Sequence, residues 1–401
     1  MQTSRRKILA TLTVSILVLA GALAAAAKFN RCAIAAGSEP QLAHSGWRLA
    51  PPIFYENLPI FPVVTAQDAD TSEFATLDEA LASGEALISE QGSEIRRTRE
   101  GVPVPNYSGG PRVNQLVLIN RGKRPLILLA GEVVSGGKQD RIIGKDRIVP
   151  TGAAPLPLDV FCVEHGRWTP GAAQFSAAQT MVHPSVRDKA AVEQDQSQVW
   201  AAVRGEASDV GTSSQTVTTE SGVAEAAPSP QLSRSAIAGA IEQSGTQSYQ
   251  KIYEYSPIGT SVEAFTEEMQ HRFARQTAGL KGERVVGVVV AFGQEVAWSD
   301  IFASSRLFEA YWPKLLRSYV VEAMTRPRIR RAASIDDARD FLRPATGHIE
   351  EESEPGVYRW RKQAEGRLAE IELDALDPKP FTLHWLRVLH GESEMRPRYV
   401  D

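Results

Sequence analysis

Eight bulky apolar residues, Leu307, Phe308, Tyr311, Trp312, Leu315, Leu316, Tyr319 and Val320, recur at three- and four-residue spacing between Ser305 and Met324. At 3.6 residues per turn they fall on one face of a helix, and a stripe that wide must be buried against another apolar surface. The chain offers one just upstream. Arg284 to Phe292 is a β-branched run, too short to cross a bilayer and without a helical period, and it reads as a buried strand. A helix laid on a sheet is therefore the first element of the expected fold.

Around that pair the pattern is mostly strand. Phe61–Thr65 and Ala86–Ser89 read as strands, with a short helix over Thr76–Leu81 opened by a polar cap. Val113–Asn120 and Pro125–Val134 flank the turn-like Arg121-Gly122-Lys123-Arg124 and suggest a hairpin. Arg147–Pro150 and Leu156–Glu164 continue the antiparallel pattern, and Val357–Arg361, Arg367–Leu373 and Phe381–Leu389 read as closing strands. Helical periodicity appears over Val186–Glu206, Ser233–Gln243 and Val262–Leu280. Ala207–Ser229 is rich in Ser, Thr, Gly and Ala and has little to bury, which predicts a flexible insert. Charged Ile349–Glu354 reads as a surface loop, and Asp300 as a turn cap. The expected class is α+β, mainly antiparallel sheet with packed amphipathic helices, in a single domain over 47–395 with a tail at 396–401.

The amino terminus carries a different message. Arg5, Arg6 and Lys7 precede an uncharged apolar run from Ile8 to Ala27, the order of a signal peptide or signal anchor. Small residues from Ala22 to Ala27 suit cleavage, while an apolar run of that length also suits an uncleaved anchor. Residues 28–46 then read as a tether, and the domain is expected outside the cytoplasm, periplasmic or extracellular, touching a membrane only through residues 8–27. Formal net charge is −4, and losing the three basic leader residues takes it to −7, which argues against nucleic acid as a partner. Cys32 and Cys162 are the only cysteines, so no disulfide framework holds the fold. The sequence sets no oligomeric state.

Two strings combine polar density with apolar strands: Gly131-Glu-Val-Val-Ser-Gly-Gly-Lys-Gln-Asp-Arg141 and Phe161-Cys-Val-Glu-His-Gly-Arg-Trp168. The first is not a phosphate-binding P-loop, because Gly131 is one residue out of register with Gly137-Lys138 and Gln139 stands where a hydroxyl must hold magnesium. Nor is Ser135-Gly-Gly-Lys138 the Ser-x-x-Lys of penicillin-recognising enzymes, since Gly-Gly opposes the helix that motif opens. Together the strings supply carboxylates (Glu132, Asp140, Glu164), cations (Lys138, Arg141, Arg167), the amide Gln139, the near-neutral titrant His165 and Trp168. That set could bind a small anionic ligand and move a proton. The alternative for each is a solvated turn residue. Cys162, in an apolar strand, reads as core packing. The seven histidines, at 44, 165, 183, 271, 348, 384 and 390, show no close helical pair, so no metal signature is read and no cofactor is expected. His348-Ile-Glu-Glu-Glu reads as a solvated charge run, and His384 as a satisfied structural histidine.

These two strings, with the later Val-Gly-Val-Val-Val and Asp-Ile-Phe pattern, resemble a prokaryotic domain family named for its association with ADP-ribosylglycohydrolases and rhodanese-phosphatases. The likeness runs from about Ile53 to about Leu389. It implies attention to Glu132, Lys138, Gln139, Arg141, Glu164, Arg167 and Trp168, and a link to ADP-ribose or phosphate chemistry. Three functions follow as expectations: a binding or scaffold module of the cell envelope, an enzyme acting on a phosphorylated or glycosidic (ADP-ribose-like) substrate, or a structural partner in an envelope complex. The leader gives the first test. A reporter fused after Asp401 should be active only outside the cytoplasm; cytoplasmic activity with residues 1–27 intact contradicts export.

Overall fold

The computed structural model of the chain describes residues 46–390 apart from 91–93, 98–102, 107–114, 138, 164–173, 205–228, 244–248, 255 and 329–330. The leader, most of the tether, the expected insert up to 228 and the tail lie outside the described residues. β1 (Arg48–Leu49), β2 (Ile53–Tyr55) and β3 (Leu58–Thr65) open the fold, followed by β4 (Ala75–Thr76) and a helix over Leu77–Ala82. Thr76 caps that helix as the sequence predicts: its hydroxyl accepts from Glu79 N at 3.3 Å while the Glu79 carboxylate accepts from Thr76 N at 3.0 Å, a reciprocal capping box. β5 (Ala86–Glu90), a ribbon of β6 (Glu94–Arg97) and β7 (Pro103–Asn106), β8 (Gln115–Asn120), β9 (Leu126–Leu128), β10 (Glu132–Gly136), β11 (Arg141–Ile143), β12 (Arg147–Val149), β13 (Leu156–Cys162) and β14 (Gln174–Met181) complete the first half.

The helical middle comprises Pro184–Asp188, a π-helical turn over Lys189–Glu193, then Gln196–Arg204, Arg234–Gln243, Lys251–Glu254 and Ser256–Thr277. β15 (Arg284–Phe292), β16 (Glu295–Phe302), the long helix Ser305–Thr325 and the helix Ile335–Phe341 lead into β17 (His348–Glu354), β18 (Tyr358–Glu365), β19 (Leu368–Ala375) and β20 (Phe381–Leu389). Ser304 caps the long helix by accepting from Leu307 N at 3.2 Å.

These strands sort into two principal sheets. A nine-stranded antiparallel sheet runs β1-β3-β15-β16-β20-β19-β18-β17, with β2 paired to β3; a six-stranded antiparallel barrel closes in the order β10-β11-β13-β8-β5-β14. β12, β9 and β4 form a small third sheet that includes the parallel pair β4–β9. The α+β class with antiparallel sheets is therefore correct, and the barrel is an addition that local patterning did not suggest.

Side chains alternate along a strand, and both faces of the large sheet are used. Trp298, Asp300, His384 and Leu386 share the face on which the long helix packs, as the Tyr319–Asp300 hydrogen bond fixes. Trp385 and Arg387 take the other face, where Trp385 meets Trp47 edge-on and Arg387 donates to the Phe341 carbonyl at 2.7 Å. Two-sided cover explains why β15 is a continuous apolar run rather than an alternating one. The barrel has its own interior, filled by side chains including Ile88, Leu118, Val134, Ile143, Val160 and Phe175.

Four local readings need correction. Pro125–Val134 is not one strand: the chain turns over Leu129–Gly131, with Gly131 at φ +96°, so β9 joins the small sheet and β10 the barrel. A Cβ at Gly131 would stand 2.6 Å from Arg187 Cγ, so this turn needs glycine on two counts. Nor do β8 and β9 form a hairpin. β8 pairs with β5 and β13 instead, and the Asn120 amide donates to the Arg124 and Val149 carbonyls at 2.9 and 3.0 Å, redirecting the chain. Ile349–Glu354 is an edge strand, exposed but held by cross-strand charge such as Glu350–Lys362 at 3.0 Å. Asp300 lies inside β16 rather than at its end.

Candidate functional site

The described part of the first polar string and residues 161–163 of the second lie on neighbouring strands of the barrel. β10 and β11 form a hairpin in which Val134 pairs with Arg141, so residues 135–140 make its tip; Arg141 in turn pairs with Cys162 on β13. The Val163 N–H donates to the Asp140 carbonyl at 3.4 Å, so Val163 lies beside that hairpin. Lys138, Glu164, His165, Arg167 and Trp168 lie outside the described residues. Of the rest, Arg141 is 1 % exposed and its guanidinium donates to the Gln139 and Asp140 carbonyls at 2.8 and 3.3 Å, clamping the tip from beneath. The Asp140 carboxylate accepts from the Ser135 hydroxyl at 2.6 Å and from Tyr249 N at 3.2 Å. Gln139 is half-buried. Cys162 is fully buried, in line with its packing role.

Glu132 stands apart from this group. It begins β10 instead of ending a strand, its carboxylate accepts from Leu129 N at 2.7 Å, and its cation is Lys314 of the long helix, at 2.5 Å. Lys314 also meets Asp78 at 2.7 Å. Burial pushes the Glu132 carboxyl up and Lys314 pulls it back; burial opposes the charge on Lys314, but Glu132 and Asp78 more than restore it, and the ammonium stays charged.

Sequence reasoning missed the densest polar cluster, which forms around Asp300. Its carboxylate accepts from Arg187 Nη1 at 2.8 Å, Trp298 Nε1 at 2.7 Å and the Tyr319 hydroxyl. His384 bridges onward, with Nε2 3.1 Å from Asp300 and Nδ1 2.6 Å from Asp146. Asp146 accepts from Ala130 N at 2.7 Å, and Arg187 Nε donates to the Ala130 carbonyl, also at 2.7 Å. Asp146, Arg187, Asp300 and His384 are each no more than 1 % exposed. Burial favours a neutral Asp300, yet Arg187, His384 and Tyr319 hold it well below the carboxylate range. Burial likewise opposes charge on His384, and Asp146 and Asp300 more than compensate, so its pKa is raised. Two anions and two cations thus neutralise one another inside the protein. A sealed, charge-paired quartet of this kind, in which only Arg187 Nη2 is left without a hydrogen bond, acts as a fold determinant, whereas a catalytic acid or base needs reach to a reactant.

A second buried node lies alongside. Glu322 of the long helix accepts from Ser185 N at 3.0 Å, the Ser185 hydroxyl at 2.7 Å and Arg326 Nε at 2.8 Å. His183 N donates to the Tyr249 oxygen at 2.9 Å, and the same hydroxyl shares a hydrogen bond with His183 Nδ1 at 2.5 Å. Burial lowers His183 to about 4, and burial of Glu322 is outweighed by Arg326, His183 and Arg234, which bring it to about 2. A third group, Asp188, Glu193 and His390, brings three potential metal-ligating atoms within 4.8 Å of one another.

Comparison with known proteins gives one match. The model of the family described as ARG and Rhodanese-Phosphatase-superfamily-associated Protein domain fits residues 46–384. No curated protein and no solved structure matches the chain.

The His183 node sets a pH dependence. A base whose folded pKa is depressed contributes stability that is present above its unfolded pKa, near 6.5, and lost as pH falls through about 4. Glu370 has the opposite slope: burial, against the pull of Arg387, raises it to about 7, so its contribution is present below 4.5 and lost as pH rises through about 7. The test is therefore a difference. In urea titrations, the stability advantage of wild type over His183→Asn should shrink by about 3 kcal/mol between pH 7 and pH 4; an advantage constant with pH contradicts a neutral buried His183.

Proposed function

The chain belongs to the ARG and Rhodanese-Phosphatase-superfamily-associated Protein family, and from this premise and the chemistry of its two polar strings we propose that the domain is a binding module of the cell envelope that captures a small anionic ligand at one end of the barrel. The observation that supports the reading is that Asp140 and Arg141 of the first string lie against Cys162 and Val163 of the second, through the Val163–Asp140 hydrogen bond and the Arg141–Cys162 register. Because the barrel interior is packed with side chains, a ligand belongs on the loops at its mouth, a common place for a binding site on a rigid barrel. The strings carry Lys138 and Arg167, which suit phosphate or carboxylate, while buried Arg141 holds the hairpin backbone beneath them.

Binding is favoured over catalysis because the acids, bases and cations best placed for proton transfer, Asp146, Arg187, Asp300 and His384, are sealed and paired. The envelope location rests on Arg5-Arg6-Lys7 and the uncharged run Ile8–Ala27. Among the described residues no helix is long and apolar enough to cross a membrane.

The full chain should gain thermal stability with ADP-ribose or inorganic phosphate, by about 2.7 kcal/mol at a ligand concentration a hundred times Kd. Lys138→Ala and Gln139→Ala should weaken that gain by about tenfold in apparent affinity while leaving the unliganded Tm nearly unchanged. If neither anion stabilises the protein, or the variants respond like wild type, the barrel-end reading fails.

A further inference from the structure

The helix that supplies Arg187 ends at Asp188 and runs straight into the π-helical turn Lys189–Glu193. In an α-helix, residues five apart stand about 140° from one another around the axis, so Asp188 and Glu193 would face different ways. An i→i+5 register closes its turn in five residues and returns them to one side. β20 delivers a third group. His390 follows directly on that strand, with its N–H donating to the Arg367 carbonyl at 2.7 Å and its own carbonyl accepting from Arg367 Nε at 2.9 Å. Its imidazole is thereby held over the π-turn.

Asp188 is only 6 % exposed. Its Oδ1 and His390 Nδ1 approach to 2.5 Å, yet both atoms are buried and neither makes a hydrogen bond. The second carboxylate oxygen is occupied differently: the Lys189 ammonium lies 3.2 Å from Asp188 Oδ2 and 3.8 Å from Glu193 Oε1. A buried carboxylate oxygen and an imidazole nitrogen directed at one another without hydrogen-bond alignment, beside a second carboxylate, is a donor set for a cation.

The geometry points to a mononuclear site for a divalent transition metal, such as Zn²⁺, held by Asp188, Glu193 and His390, with Lys189 as the outer partner of the Asp188 carboxylate. One imidazole and two carboxylates match the harder nitrogen and oxygen preferences of such ions, and three protein ligands leave a position for water. Ligand atoms about 2.1 Å from a tetrahedral ion stand roughly 3.4 Å apart. A small rotation of the imidazole therefore opens the Asp188–His390 pair to fit, as Glu193 draws in from within 4.8 Å. Lys189 can stay on Oδ2 while the ion takes Oδ1, the arrangement in which an outer-shell partner orients a ligating carboxylate. The histidines look scattered in sequence because these ligands come from positions 188 and 390, joined only by the fold.

The experiment uses the full chain, stripped with chelator and titrated with Co²⁺ in excess Mg²⁺, reading visible d–d absorption and bound metal per chain. The expected result is one ion per chain with a low-symmetry, high-intensity spectrum. His390→Ala and Glu193→Gln, both at partly exposed positions, should weaken binding at least about tenfold with unchanged circular dichroism, so that loss of metal is separated from loss of fold. No Co²⁺ spectrum in the wild type overturns the assignment, and so does binding that survives His390→Ala unchanged.

Discussion

The carboxylate of Asp300 sits in mid-sheet without access to water, so it must be matched by whatever packs on it, and its donors come from distant parts of the chain. Trp298 is its neighbour on β16, and Tyr319 comes from the long helix. Arg187 arrives from the short helix that also contacts the Ala130 turn between β9 and β10. His384 on β20 links the same carboxylate to Asp146, which holds Ala130 N. One anion therefore ties sheet, helices and barrel hairpin to a single arrangement. Such a pair adds little net stability compared with apolar packing, but removing one partner strands a buried charge at about 3–5 kcal/mol. Its contribution is specificity: a long helix placed one turn out would take Tyr319 from Asp300 and Lys314 from Glu132.

That cost explains the shape of the rest. Gly131 must lack a side chain for Arg187 to pass, and β10 must start at Glu132 for Lys314 to reach it. From there the strand runs to Gly136, toward the hairpin on which the ligand proposal is built. Arg187 and Asp188 are consecutive, and the same anchored helix end aims Asp188 at His390. Structural charge and candidate ligand sites thus share one scaffold while remaining separate in chemistry.

Much of the frame was legible from periodicity. The Leu307 to Val320 stripe, the Arg284–Phe292 run and the Thr76 cap each encode a local rule and were found where the pattern puts them. What escaped depends on tertiary partners. Lys314, Ser318 and Glu322, spaced four apart along the long helix, lie outside its apolar stripe, yet all are buried. That helix is covered on both sides, by the large sheet and by β14 with the Pro184–Asp188 helix. Arg187 and Asp300 are separated by more than a hundred residues, so neither signals the other. Their trace in the sequence is a charged residue inside an apolar strand, which at Asp300 was mistaken for a cap. The barrel was hidden because its strands are short and close through β14, far along the chain from β10. Two polar strings could be singled out by composition, but that Arg141 lies between them as a clamp required the β11 register.

The central claim is that the Asp300 cluster is a closed, charge-balanced tie in which His384 is an imidazolium donating to two carboxylates. The most direct measurement is ¹⁵N NMR of the histidine rings in the full chain, titrated upward from pH 6. Because Asp146 and Asp300 raise its folded pKa above that of a free imidazole, His384 should keep both ring nitrogens protonated to a higher pH than the exposed histidines of the same chain. Its stabilising contribution should then be lost only at higher pH. A His384 ring that loses its second proton at or below the pH of a free imidazole would leave the two carboxylates facing a single cation and contradict the account.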